Sequence, residues 1–250
     1  MSDQAPSIRL DQLLVSRGLF DSRSRARDAI ARGTVSVEGR TVTKAGTTVG
    51  PNAAIEIDDP AQDYVSRAAL KLVAALERFG LDPAGCDCLD IGASTGGFTQ
   101  VLLMRGAAHV VAVDVGHGQM HPRVGGDPRV TNLEGLNARA LSESHTASRT
   151  IGCVVSDVSF ISLKLALPPA LSLAAPGAFC VLLVKPQFEA GRAAIGKGGL
   201  LKDPSAGPAI AAELERWLTT EMGWESLGII PAPIAGGDGN QEYLLAGRKP

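Results

Sequence analysis

Residues 88 to 103, CLDIGASTGGFTQVLL, decide the fold. An apolar run ends at Asp90, a glycine-rich turn follows, and from Phe98 the residues change to a helical pattern. Strand, glycine turn and helix in this order open an α/β sheet. Gly92, Gly96 and Gly97 let backbone approach a ligand, with N–H groups converging at the helix N-terminus. Loops of this kind also hold dinucleotides, but the spacing here is GxxxGG rather than GxGxxG. Asp90, on the strand just before the turn, supplies an acid beside those N–H groups. That combination suits adenosylmethionine, whose methionine end needs an acid and backbone contacts rather than a pyrophosphate cradle. Ser94 and Phe98 belong to the same candidate cofactor loop. HVVAVD follows and ends in Asp114, an acid placed to hold two ribose hydroxyls.

Outward from this unit, CVVSDVSF (153–160) and FCVLLVKPQF (179–188) are further apolar strands at βαβ spacing. WESLGIIPAPI and EYLLAGRK suggest a final antiparallel pair, and SRAALKLVAALERFG (66–80) a leading helix. The pattern predicts a mostly parallel, Rossmann-like sheet with helices on both faces. Lys185 follows its apolar run without a break, and a buried ammonium is costly unless it is paired. Asp157 and Lys185 both end apolar strands, and in open α/β sheets ligands lie beyond those carboxyl ends. A charge at a strand end is also a common solvated feature, so position alone leaves both readings open.

The first part of the chain has another character. IRLDQLLVSRG, with Ile8, Leu10, Leu13 and Leu14 on its apolar face, and SRSRARDAIARG predict two short helices, with Asp21-Ser22 able to cap the second. TVSVEGRTVT predicts a hairpin turning on Glu38-Gly39, and AAIEI a closing strand. DDPAQD (58–63) breaks the pattern. It separates a small α+β module, 1–59, from an α/β domain, 67–250, with 60–66 as linker. Between Arg9 and Lys44 stand eight basic residues against four acidic, within a chain of net charge −2. Such asymmetry is expected of a nucleic-acid-binding module, with Arg9, Arg23, Arg25, Arg27, Arg32 and Lys44 as candidate contacts.

The remaining composition is that of a globular protein, 45% apolar and 20% charged. MSDQAPSIRLDQ lacks the apolar core of a signal peptide, and no run is long enough for a membrane helix. Cys86, Cys88, Cys153 and Cys180 have no paired CxxC spacing, which favours buried reduced thiols in a cytoplasmic protein over metal or disulfides.

With these residues in view, the chain resembles the TlyA family, which joins an RNA-binding domain of the ribosomal-protein S-four type to an FtsJ-type methyltransferase. RLDQLLVSRGLFDSRSRARDAIARGTVSVEG, SRAALKL, LDIGASTGGFTQ, VDVGHGQ, DVSFISL, LVKPQFEAG and NQEYLL carry the resemblance, in order and over nearly the whole length. It implies an adenosylmethionine-dependent ribosomal RNA 2′-O-methyltransferase acting on cytidine, with ribosomal RNA or a ribosomal subunit as partner and neither metal nor membrane. It also implies a Lys-Asp-Lys-Glu tetrad: Lys71, Asp157, Lys185 and Glu242. Asn137, in TNLEGLNAR, would lie near the adenine. Where FtsJ-type loops often carry Ala-Pro and a tryptophan, this chain has Ser94-Thr95 and Phe98. The end at Pro250 directly after the last strand resembles the members that modify only the large-subunit RNA.

Two other functions stay open: a non-catalytic RNA-binding assembly factor, and the membrane-active haemolysin for which the family is often named. No amphipathic segment supports the latter. GKGGLLKD (196–203) lacks the Ser/Thr of a phosphate-binding P-loop and is expected to be a substrate-side loop.

Overall fold

The computed structural model describes residues 7–250; MSDQAP, on which part of the leader expectation rests, lies outside the described residues. The chain divides into two compact units, Met1–Gln62 and Asp63–Pro250.

The first unit runs β1 (Ile8–Arg9), α1 (Leu10–Ser16), α2 (Arg23–Ala31), β2 (Val35–Val37), β3 (Arg40–Thr41), β4 (Thr48–Val49) and β5 (Ile55–Ile57). Ser22 caps α2, its side chain accepting from the Arg25 N–H at 3.3 Å. At the β2–β3 turn Glu38 and Gly39 both have positive φ, +50° and +72°, as a two-residue hairpin turn of type I′ requires. Leu10, Leu14, Ala26, Ala29, Ile30 and Val35 fill the core between helices and strands. Two elements differ from expectation: Ile8 and Arg9, read as the start of the first helix, instead pair as a strand with Val49 and Thr48. Two-residue strands are too short to leave a periodic signal.

The second unit runs α3 (Ala69–Phe79), β6 (Asp87–Ile91), α4 (Gly97–Met104), β7 (His109–Asp114), α5 (Pro122–Gly125), β8 (Val130–Glu134), β9 (Ile151–Ser156), α6 (Leu163–Ala166), α7 (Pro168–Leu173), β10 (Ala174–Val184), α8 (Pro186–Glu189), α9 (Gly207–Thr220), β11 (Glu225–Pro231) and β12 (Tyr243–Arg248). Seven strands form one sheet in the order β11-β12-β10-β9-β6-β7-β8. The inner pairings are parallel; β12 is antiparallel to β10 and β11. β8 was not anticipated, because its residues are half-exposed and lack the continuous apolar run that marks the inner strands.

Alternation along the strands divides the core. Cys88, Val155, Val181 and Leu244 pack on the α3/α4 face. Leu89, Val154, Leu182 and Leu245 pack on the face covered by α6, α7 and α9. Cys88, Cys153 and Cys180 are buried free thiols, and burial pushes Cys180 well above the ordinary thiol range. The registers Ile91↔Ser156, Ser156↔Leu182 and Val184↔Tyr243 align the strand ends. Asp157, Lys185 and Glu242 each stand one residue beyond these pairs, so three strands deliver them to one edge. The order reverses between β6 and β9, where ligands bind in sheets of this type.

Candidate active site

The glycine turn is shaped first by the chain it packs against. Gly92 has φ +85°, and a Cβ there would lie 2.7 Å from the Asp157 carbonyl oxygen. A Cβ on Gly97 would meet that of Ser66 at 2.9 Å. These two glycines therefore bring the turn against Asp157 and the segment before α3; Gly96, at φ +90°, is the N-cap of α4. Asp114 fastens the turn from β7. Its Oδ2 accepts the Ser94 N–H at 2.8 Å and its Oδ1 the Gly116 N–H at 2.7 Å. Each oxygen retains a second lone pair for a ligand hydroxyl.

Two adjoining clefts open at this edge. One of about 290 Å³ is lined by Gly92, Ser94, Asp114, Asn137, Asp157 and Ser159, among others. The other, about 140 Å³, includes Ser66, Gly97, Phe98, Asp157 and Lys185. Asn137 reaches the first cleft from a turn that its own Oδ1 caps, accepting the Arg139 N–H at 3.0 Å. Phe98 is buried in the core and borders the second cleft.

Asp90 lies beneath, wholly buried. Thr99 Oγ1 donates to its Oδ2 at 2.6 Å, while Oδ1 has no partner. Burial pushes the Asp90 carboxyl up to about 7, against the Thr99 hydrogen bond and with help from the charge of Asp157. Oδ1 is thus a desolvated acceptor without a partner, on a side chain that lines neither cleft.

The four tetrad candidates form two ion pairs. Lys185 Nζ lies 2.7 Å from Asp157 Oδ1, with 12% and 18% of the two side chains exposed. This contact is electrostatic and lies off the hydrogen-bonding axis, since Asp157 Oδ1 receives no aligned donor. The ammonium donates instead to Ser159 Oγ at 2.7 Å. Lys71, from α3, pairs with Glu242 Oε2, and this pair is enclosed, with 7% and 3% exposure. Beside the open pair, Phe160 is 90% exposed at φ +64°. Its ring lies 5.0 Å from that of Phe188, over which Lys185 Nζ sits at 6.0 Å.

Within the first unit the arginines divide by their partners. Asp11, fully buried, holds Arg9 at 3.0 Å and Arg23 at 2.9 Å while both guanidiniums stay half-exposed. The Arg9 hydrogen bond, with Arg23 adding to it, lowers the Asp11 carboxyl to about 2. Arg32 is bound to Asp59 and Asp28 and is 16% exposed. Arg25 bonds Asp21 and the Ala61 and Gln62 carbonyls. Arg27 and Lys44 are exposed.

Sequence reasoning passed over Ser159, Thr99 and Asp11. Ser159 stands two residues after Asp157 and Thr99 nine after Asp90, but contacts across a turn carry no periodic signal. Asp11 could have been suspected as an acid on the apolar side of a helix.

Strand order, glycine turn and acids at the ends of β6 and β7 define a methyltransferase of the Rossmann-like class. Comparison with known proteins narrows this. Residues 64–249 match the FtsJ-like methyltransferase family profile and residues 8–55 the S4 domain profile. The chain belongs to the FtsJ-like methyltransferase family, in its TlyA branch. It is 46% identical over 238 residues to the 16S/23S rRNA (cytidine-2′-O)-methyltransferase TlyA of Mycobacterium tuberculosis, covering 95% of this chain and 88% of that one. It is 37% identical to the 23S rRNA (cytidine-2′-O)-methyltransferase TlyA of Campylobacter jejuni, over 76% and 73% of the two chains. A solved structure from Streptococcus thermophilus, which bears a hemolysin name, superposes with TM-score 0.75 at 36% identity, over 98% of this chain and 89% of that chain. Among the described residues no helix is long and apolar enough to cross a membrane.

Proposed function

We propose that the protein is a cytoplasmic, adenosylmethionine-dependent ribosomal RNA 2′-O-methyltransferase that modifies cytidine in large-subunit RNA. The observation that carries this reading is the Lys185–Asp157 pair at the strand ends, beside the glycine turn. Large-subunit RNA is favoured because 23S rRNA is common to the names of both curated relatives.

The residues fit the cofactor. The N–H groups of Thr95 and Gly97, which the turn's own hydrogen bonds leave unused, would take its methionine end, with the buried Asp90 carboxyl behind them. Asp114 would take the ribose hydroxyls, and Asn137 the adenine side of the larger cleft. Bound there, the cofactor supplies an electrophilic sulfonium methyl. Lys185 orients the ribose 2′-hydroxyl, and its amine in the deprotonated form receives the proton that leaves as the oxygen is methylated. Asp157 holds Lys185 and offsets the positive charge it then carries. Lys71 and Glu242 neutralise each other and fix the floor of the site. The exposed Phe160 ring offers a stacking face to a nucleotide turned out of its helix. In the first unit Arg9, Arg23, Arg25, Arg27 and Lys44 contact RNA phosphates, with Arg32 bracing α2, and residues 60–66 link the modules.

The test is incubation of separated ribosomal subunits with labelled adenosylmethionine, followed by nucleoside mass spectrometry. The expected product is 2′-O-methylcytidine from the large subunit. RNA binding without incorporation would favour the assembly-factor reading, and a base-methylated product would overturn the tetrad chemistry.

A further inference from the structure

Residues 194–202, which contain the GKGG motif, form a small ordered hairpin. Ile195 pairs with Leu201. The Gly196 N–H donates to Leu200 O at 2.8 Å, and the Lys202 N–H to Ala194 O at 3.0 Å. Gly198 and Gly199, at φ +76° and +81°, make the tip with Lys197, which is exposed. The hairpin leaves the sheet just after Lys185 and α8. Exposed Lys197 and Lys202 lie on it and exposed Arg192 just before it; Lys202 Nζ donates to Ala193 O at 2.8 Å, and a Cβ on Gly199 would lie 3.7 Å from Asp238 Oδ2.

One buried side chain fastens it. Asn240 is 5% exposed; its Nδ2 donates to Gly199 O at 2.9 Å and its Oδ1 accepts the Leu201 N–H at 3.1 Å. The amide thus grips adjoining backbone groups of the hairpin as a neighbouring strand would. Asn240 also closes its own turn, its carbonyl accepting the Gly236 N–H at 2.9 Å. That turn is a wall of the enclosed ion pair: a Cβ on Gly236 would lie 2.6 Å from Glu242 Oε1. The same turn meets the Lys185 side, where Gln187 Nε2 donates to Asp238 Oδ2 at 3.4 Å.

We propose that Asn240 is a positioning residue that holds this hairpin as an RNA-phosphate contact and ties it to the turn that confines Glu242. Phosphate is the ligand chemistry that suits a glycine tip carrying an exposed lysine and flanked by further cations. The inference rests on the RNA-methyltransferase reading, but its first test needs no methyl transfer.

Binding of large-subunit RNA is measured without cofactor over a salt series for the unmodified protein, Lys197→Ala, Asn240→Ala and the double variant. Each single change should weaken binding about five-fold and lower the log–log salt slope by about one. The double variant should bind no more weakly than Asn240→Ala alone, because both changes remove the same contact. Trypsin should cut after Lys197 faster in Asn240→Ala. In methyl transfer, Lys197→Ala should raise KM for RNA, whereas Asn240→Ala should raise KM and also lower kcat. If Asn240→Ala does not fold, Asn240→Asp keeps the acceptor for Leu201 and removes the donor to Gly199, and should show the same salt-slope loss. Unchanged RNA binding by Lys197→Ala, or additive losses in the double variant, would overturn the proposal. Normal binding with no methyl transfer by the unmodified protein would instead count against the enzymatic reading.

Discussion

Lys185 and Lys71 are the same side chain in two settings. Lys185 stands at the cleft with one carboxylate, one hydroxyl and an aromatic ring around it. Lys71 is enclosed with Glu242 in a pair that solvent scarcely reaches. The difference assigns their work: an amine that must meet a ribose hydroxyl needs an open side, whereas one that only shapes the site can be buried against its counter-ion. A closed pair is also a structural hazard, because removing one partner strands a charge.

The comparison can be broken experimentally. Lys185→Ala should lower methyl transfer by about 10²- to 10⁴-fold, the usual range for a positioned proton-transfer group, with little change in thermal unfolding. Glu242→Gln should do the reverse in emphasis, reducing stability by about 3–5 kcal/mol because Lys71 is left buried and unpaired. Lys71→Met combined with Glu242→Gln should recover part of that loss, as chemical denaturation would show. If Lys185→Ala proved the more destabilising change, the assigned division would be wrong.

A smaller effect concerns pH. The folded-state pKa of Asp90, about 7, is above its ordinary value of 3.8. The native state therefore holds a proton that the unfolded chain has released, and Asp90 subtracts stability as pH rises between about 4 and 7. Asp90→Asn removes the titrating charge, so its melting temperature relative to the unmodified protein should improve across that window. Its affinity for adenosylmethionine, read by calorimetry, should fall. A constant difference across the window would show that Asp90 does not titrate there. Smallest is the surface term. Arg27→Ala should weaken RNA binding a few-fold and reduce the salt slope by about one, leaving the unfolding curve in place.

The parts legible in the sequence are those with a repeating signal or an obligatory residue. Apolar runs marked β6, β7, β9 and β10, and Ser22 marked a helix start. The left-handed Glu38-Gly39 turn was visible in composition. β8 was not, because edge strands need no continuous apolar run. Asp157 and Lys185 were legible as charges at the ends of buried strands. The Lys71–Glu242 pair was legible only through resemblance, since 171 residues separate its members. Asn240 stood in the quoted NQEYLL motif, but its grip on Gly199 and Leu201 depends on two loops meeting. No spacing within either loop records that encounter. Likewise the purpose of Gly92 appears only when the Asp157 carbonyl is seen beside it.

The most direct measurement of the central claim is single-turnover methyl transfer into isolated large ribosomal subunits by the unmodified protein and Lys185→Ala. Adenosylmethionine binding is measured separately for each. The account predicts 2′-O-methylcytidine from the first, loss of incorporation in the second, and equal cofactor affinity. Undiminished incorporation by Lys185→Ala with cofactor bound would contradict it.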